Sequence, residues 1–139
     1  MNTIDQVSVF LENRPGQLSE LLKIFADNDI DLYALNISET EDYGVLRIIV
    51  KDPDYAINVL QKSDYVGVKT PVFLIGIPNE LGGLKGLVEI ITKAEINIDY
   101  MYSMIDEGDT STAYMAIAVD NVEKMEKTLQ KHNITVSQI

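Results

Sequence analysis

The spacing of apolar residues along the chain switches between the period of a strand and that of a helix. Val7, Val9 and Leu11 alternate, as in a strand with one buried face. Asn13-Arg14-Pro15-Gly16 breaks that pattern, and Pro15 suits the first turn of a helix, where no amide donor is needed. Leu18, Leu21, Leu22 and Phe25 then follow at i, i+3, i+4 and i+7, which predicts one apolar helical face. Asp27-Asn28-Asp29 stops the helix. Residues 30–38 read as a second strand, 39–44 as a polar turn and 45–50 as a third strand rich in β-branched residues. Pro53 opens a shorter helix carrying Ala56, Val59 and Leu60, and residues 65–69 predict a weak last strand.

The series then repeats. Residues 73–77 predict a strand, and Leu84, Leu87, Val88 and Ile91 form a helical stripe. Residues 97–105 and 112–119 predict a hairpin, 122–132 a helix with Met125 and Leu129 inward, and 134–138 a closing strand. Laying residues 7–38 over 73–104, an offset of 66, matches Asn13 to Asn79, Gly16 to Gly82, Leu18 to Leu84, Leu21 to Leu87 and Ile30 to Ile96. Past the hairpin the offset is 69, and Ile48, Val50 and Leu60 match Ile117, Val119 and Leu129. The three extra residues of the second copy fit in a loop. Identities in one register, with one element order, point to a duplication.

Each copy therefore has the order βαββαβ. That order favours an α+β, ferredoxin-like unit: a four-stranded antiparallel sheet with both helices on one face. The expected domains are residues 1–70 and 71–139. The joint adds a constraint. If both sheets have order 4-1-3-2 and meet through their second strands, the fourth strand and the next first strand lie about 29 Å apart. Thr70-Pro71 spans only roughly 7–10 Å. Either the halves dock differently, or terminal strands are exchanged, with residues 65–69 beside 73–77 and 134–138 beside 7–11.

Composition narrows the function classes. Hydrophobic residues make up 46% of the 139, enough for a packed core. No apolar run reaches the ~18 residues of a membrane span, and residues 1–6 lack the pattern of a signal peptide. A cytoplasmic location is the expectation. The net charge of −11 opposes binding to nucleic acid or to anionic membranes. Cysteine is absent and His132 is the only histidine, so no nucleophile–base pair or metal pair is expected. His132 falls late in a helix, where a charge near the C-terminus is explanation enough. Asp106, Glu107 and Asp109 lack the full ligand series of a calcium loop and read as a hairpin tip. Gly82-Gly83 with Gly86 has the wrong spacing for a dinucleotide fingerprint. No catalytic residue and no cofactor is expected.

Glu12-Asn13-Arg14-Pro15-Gly16-Gln17-Leu18, followed by Ile24-Phe25-Ala26 and Ile30-Asp31-Leu32, resembles the start of an ACT domain, as in the regulatory domain of phosphoglycerate dehydrogenase. Asn79-Glu80-Leu81-Gly82-Gly83-Leu84 with Ile96-Asn97-Ile98 is a looser match, having Leu81 where the first copy has Pro15. The resemblance covers nearly the whole chain and is similar to stand-alone tandem ACT proteins. It implies a free amino acid bound between two ACT units, touching the first loop of one and the second strand of the other. Asn13 would then pair with Asn97, and Asn79 with Asp31, which stands where the family has asparagine. The sites are expected to be unequal. The physics agrees: a helix N-terminus offers unpaired amides, and a glycine there lets an anion approach.

Beside this stands the simpler reading that residues 13–16 are only a tight strand-to-helix turn. Tyr100 and Tyr102 either line a ligand pocket or form a half-buried strand face. A small-molecule sensor, acting on a partner enzyme or regulator and assembling as a homodimer, leads. A ligand-free interaction module is the alternative. An enzyme ranks low, as does an RNA binder, since residues 46–50 and 115–119 lack aromatics.

Overall fold

A computed structural model describes residues 2–12, 14–39, 43–104, 108 and 110–138. The described elements are β1 (Ile4–Glu12), α1 (Gln17–Asp27), β2 (Ala34–Glu39), β3 (Tyr43–Ile49), α2 (Pro53–Lys62), β4 (Gly67–Pro78), α3 (Gly83–Lys93), β5 (Ile98–Met104), β6 (Thr112–Val119) and α4 (Val122–Lys131). The chain divides into two compact units, Asp5–Thr70 and Pro71–Ile139, the latter with Met1–Ile4.

In the first unit β3 lies between β2 and β1, antiparallel to both; Leu46 stands opposite Val9 and Ile37, and Ile48 opposite Val7 and Leu35. The amide of Phe10 donates to Val66 O at 3.4 Å, and Gln6 Nε2 to Thr70 Oγ1 at 2.7 Å, so the chain entering β4 runs beside β1. Val7, Val9, Leu11, Leu46 and Ile48 face one way and pack on Leu21 and Phe25 of α1 and Ala56 and Leu60 of α2. Both helices thus cover one sheet face. In the second unit β4 pairs with β6 (Phe73 opposite Ile117), and β6 with β5. Phe73, Ile75, Ile77 and Ile117 pack on Leu87, Ile91, Met125 and Leu129 of α3 and α4. Each unit is a ferredoxin-like βαββαβ fold.

The exchange of terminal strands does not occur. Val136 bridges Ile75, and Ser137 N donates to Leu74 O at 2.7 Å, so the last segment lies beside the first strand of its own copy. Val66 and Phe10 do the same in the first copy. The spacing argument treated Thr70-Pro71 as a loop between two strands, whereas both residues lie inside β4. Other elements shift. Residues 30–33 precede β2 rather than joining it, and α1 buries Gln17, Leu21 and Phe25 while Leu22 stays 37% exposed. The helical face is therefore rotated toward Gln17.

All four helices stop by one device. Asp29, Asp64, Glu95 and Asn133 take φ values of 56°, 64°, 59° and 55°. The next residue, Ile30, Tyr65, Ile96 or Ile134, donates its amide to the carbonyl five residues back, on Phe25, Leu60, Ile91 or Leu129. This is the Schellman closure with its apolar contact. Its positions carry the two sequence offsets, 66 for Asp29 and Glu95 and 69 for Asp64 and Asn133. The duplication is thus written in backbone geometry as well as in residue identity.

Candidate ligand-binding sites

Two kinds of helix start alternate along the chain. The helices α2 and α4 are capped by side chains: Asp52 accepts from Tyr55 N, and Asn121 from Lys124 N. The helices α1 and α3 begin instead on Gly16 (φ 86°, ψ −10°) and Gly82 (φ 87°, ψ −6°), with no side-chain cap bond. A Cβ added to either glycine meets nothing within 4 Å. The left-handed conformation, not crowding, selects glycine there. In α3 the first amide, Gly83 N, donates back to Glu80 O at 3.1 Å; in neither helix does a side chain take up the first-turn amides.

The residues after these glycines differ. Gln17 is 7% exposed, and its Oε1 is buried with no hydrogen-bond partner. Its register mate is Gly83, where a Cβ would lie 2.2 Å from Pro78 O. The second copy therefore closes tightly where the first holds a whole side chain. Leu18 packs partly into the first core, while Leu84 is 38% exposed and Leu81 fully exposed. Pro15 and Glu80 are exposed. Asn13 lies outside the described residues, as do Asp106, Glu107 and Asp109 of the hairpin tip.

Asn79 ties its turn to the hairpin: its amide donates to Ser111 O at 2.9 Å and its Nδ2 to Thr110 O at 2.8 Å. Asn97 lies just before β5, where its amide donates to Asp120 Oδ1 at 3.1 Å and its Nδ2 to Asp99 Oδ1 at 3.2 Å. A bulge between Ile98 and Tyr100 resets the alternation. Ile98 and Met101 both reach the core, so Tyr100 and Tyr102 share the opposite sheet face. Tyr102 is buried there and Tyr100 half-buried.

Among the described residues, two cavities within the first unit touch predicted site residues. Asp31 lines one of ≈ 200 Å³ with Asp29, Tyr33, Asp52 and Tyr55. The other, ≈ 390 Å³, lies between the start of α1 and the turn from α2 into β4, and brings Arg14 and Gln17 together with Glu12, Glu20, Asp64 and Tyr65. Arg14 is held by Glu12 at 3.2 Å and lies 3.8 Å from Glu20. The Tyr65 hydroxyl donates to Glu20 Oε1 at 3.1 Å. Burial, and then this bond, raises the Tyr65 pKa above its usual 10.0. Sequence reasoning missed the wall formed by Ser63, Asp64, Tyr65 and Val66. The signal available was divergence between the copies: Gln17, Glu20 and Tyr65 align in sequence with Gly83, Gly86 and Ile134.

Two βαββαβ units in one chain, each opening its first helix on an uncapped left-handed glycine, define a tandem ferredoxin-like protein. A family model for the ACT domain pair matches residues 2–137. The chain belongs to that family. It is similar to protein BT0572 from Bacteroides thetaiotaomicron, with 32% identity over 99% of this chain and 94% of that one, at a TM-score of 0.88. The regulatory subunit of aspartate kinase from Thermus thermophilus shares the fold at 12% identity, over 93% of this chain and 90% of that one, at a TM-score of 0.64. Its counterpart from Thermus flavus does so at 11% identity, covering 92% of each chain, at a TM-score of 0.59. A search of curated proteins finds no match. Among the described residues no helix is long and apolar enough to cross a membrane, and no cluster of three or more potential metal ligands occurs.

Proposed function

We propose that this chain is a non-catalytic regulatory protein that senses a free amino acid, with ACT repeats at residues 1–70 and 71–139. The observation that carries the reading is the contrast in helix starts. Side chains cap α2 and α4, whereas α1 and α3 open on glycine with no side-chain cap, which leaves the helix start open to a carboxylate. Membership in the ACT domain pair family supports it, as does the likeness in fold to the two Thermus regulatory subunits. The residues proposed to hold the ligand's carboxylate are those of the first turn, Asn13, Arg14, Pro15, Gly16, Gln17 and Leu18, together with Asn97, Tyr100 and Tyr102. The second proposed set is the turn from Asn79 to Leu84 together with Asp31. Its weaker claim follows from Asp31, whose carboxylate repels that of a ligand, and from the tight closure at Gly83.

Ligand binding then biases how the protein engages a partner enzyme or regulator, and a homodimer is the working assembly. Leu35 and Ile37, 41% and 45% exposed on β2, offer apolar surface for that self-association. They also favour the second reading, a ligand-free oligomerisation module. Calorimetric titration of wild type, Asn13→Ala and Asn79→Ala with each amino acid decides between them. The sensor reading expects saturable binding that Asn13→Ala weakens more than Asn79→Ala. Absence of binding to all twenty leaves the module; equal losses remove the asymmetry.

A further inference from the structure

The first repeat carries an exposed apolar patch on the sheet face turned away from α1 and α2. Register assigns its residues. Gln6 Nε2 reaches Thr70 Oγ1 at 2.7 Å and Phe10 N reaches Val66 O at 3.4 Å, so Val66 and Val68 share a face with Gln6 and Phe10. A Cβ on Gly67 would meet Leu60 and Val7, on the helix side, and its two neighbours therefore point the other way. Tyr43 stands opposite Glu12, and its ring meets that of Phe10 edge-on at 5.7 Å. Phe10, Tyr43, Val66 and Val68 are 44%, 42%, 62% and 41% exposed.

The second repeat lacks this patch. The offsets of 66 and 69 put Gly76, Thr112, Thr135 and Ser137 at the four positions. A Cβ on Gly76 would lie 2.9 Å from Thr112 Cγ2 and 3.1 Å from Tyr114 Cε1, so neighbouring side chains fill the place of the Phe10 ring. The repeat folds without the patch. Its four apolar residues in the first repeat, being exposed, answer to a contact outside the chain.

Charge selects the partner. At a net charge of −11, two copies of the chain repel each other over most of their surface. Among the described residues of β1, β2, β3 and 66–70, this face carries one carboxylate, Glu12, and one guanidinium, Arg47. Glu12 is itself paired with Arg14 at 3.2 Å. Two copies meet here without like-charge repulsion, and a basic partner finds no anchor. The four exposed side chains present roughly 300 Å² of apolar surface. That suits the apolar centre of an interface of about 800 Å² per partner, with Glu12, Asn36 and Ser38 as polar rim. We infer that this face docks on the same face of another copy of the chain, the Phe10–Tyr43 pairs meeting across a two-fold axis. The inference rests on the homodimer of the proposed function and not on the amino acid. Leu35 and Ile37 are a separate surface, since they stand opposite Ile48 and Leu46 on the helix side of the sheet.

Sedimentation equilibrium of the full chain, from micromolar to millimolar concentration, tests the contact. Two double variants bring the polarity of the second repeat into the first: Phe10→Thr with Tyr43→Thr, and Val66→Thr with Val68→Ser. All four side chains are exposed and threonine suits a strand, so both variants keep the fold, as thermal melts verify. Wild type self-associates. Each double variant halves the mass of the assembly and raises its dissociation constant about a hundred-fold or more. Tyr55→Gln, which removes a ring of 45% exposure from α2, leaves association unchanged. The inference is overturned if wild type stays monomeric at millimolar concentration, which leaves the face to a different protein. It is overturned equally if either double variant associates like wild type, or if Tyr55→Gln weakens association as much. Association through this face without amino acid binding in calorimetry sinks the sensor and leaves the interface standing; amino acid binding by a monomeric chain does the reverse.

Discussion

Three neighbouring glycines of the second repeat have three different jobs, and alanine at each separates them. At Gly83 the added Cβ falls 2.2 Å from Pro78 O and 3.3 Å from Pro78 C. Both obstacles are backbone, so α3 must move by about 1 Å to restore ordinary contact, at a cost of about 3 kcal/mol in lost packing. At Gly82 space is free but φ is 87°, and a left-handed alanine costs about 1–2 kcal/mol. Gly86 has space and an ordinary helical backbone, and alanine there stabilises by about 0.5–1 kcal/mol. Urea denaturation at constant m gives the three values directly. Gly83→Ala no worse than Gly82→Ala refutes the claim that the second copy is closed where the first carries Gln17, and with it the structural basis for unequal sites.

Further outcomes follow from the helix ends and from Tyr65. Glu95→Gly relieves a left-handed glutamate and raises stability by about 1 kcal/mol; Asp29→Gly gains less, because aspartate tolerates that conformation better, and thermal melts rank the two. Asp52→Ala and Asn121→Ala each lose about 1 kcal/mol through their caps, read by the same melts. Tyr65 has its folded pKa raised above 10.0, so the stability it contributes is complete below pH 10 and is lost as pH rises through the folded value. Urea midpoints measured toward high pH fall more steeply for wild type than for Tyr65→Phe.

Much of the fold is legible in the sequence because each copy confirms the other. The predicted strand at 112–119 is β6 to the residue, and Met125 and Leu129 are the buried face of α4. Pro53 sits at the start of α2 behind the Asp52 cap, where a missing amide does no harm. The failures have physical causes. Residues 30–38 are apolar enough for a strand, but Ile30 is taken by the closure of α1, and β2 begins only at Ala34. Gln17 is buried where polarity predicts exposure, which rotated the expected face of α1. Alternation alone does not reveal the bulge that re-phases Tyr100 and Tyr102. For the site, the glycine turns were readable from composition and register. The cavity wall at residues 63–66 was not, because no periodicity says which turn comes to lie against the start of α1.

The central claim is that the protein binds a free amino acid. A thermal-shift screen of the purified chain against the twenty amino acids, each at millimolar concentration, tests it most directly, since a ligand that binds only the folded state raises the melting temperature. The account predicts a selective upward shift for one or two of them, lost in Asn13→Ala. A flat response to all twenty, upheld by calorimetry, contradicts it.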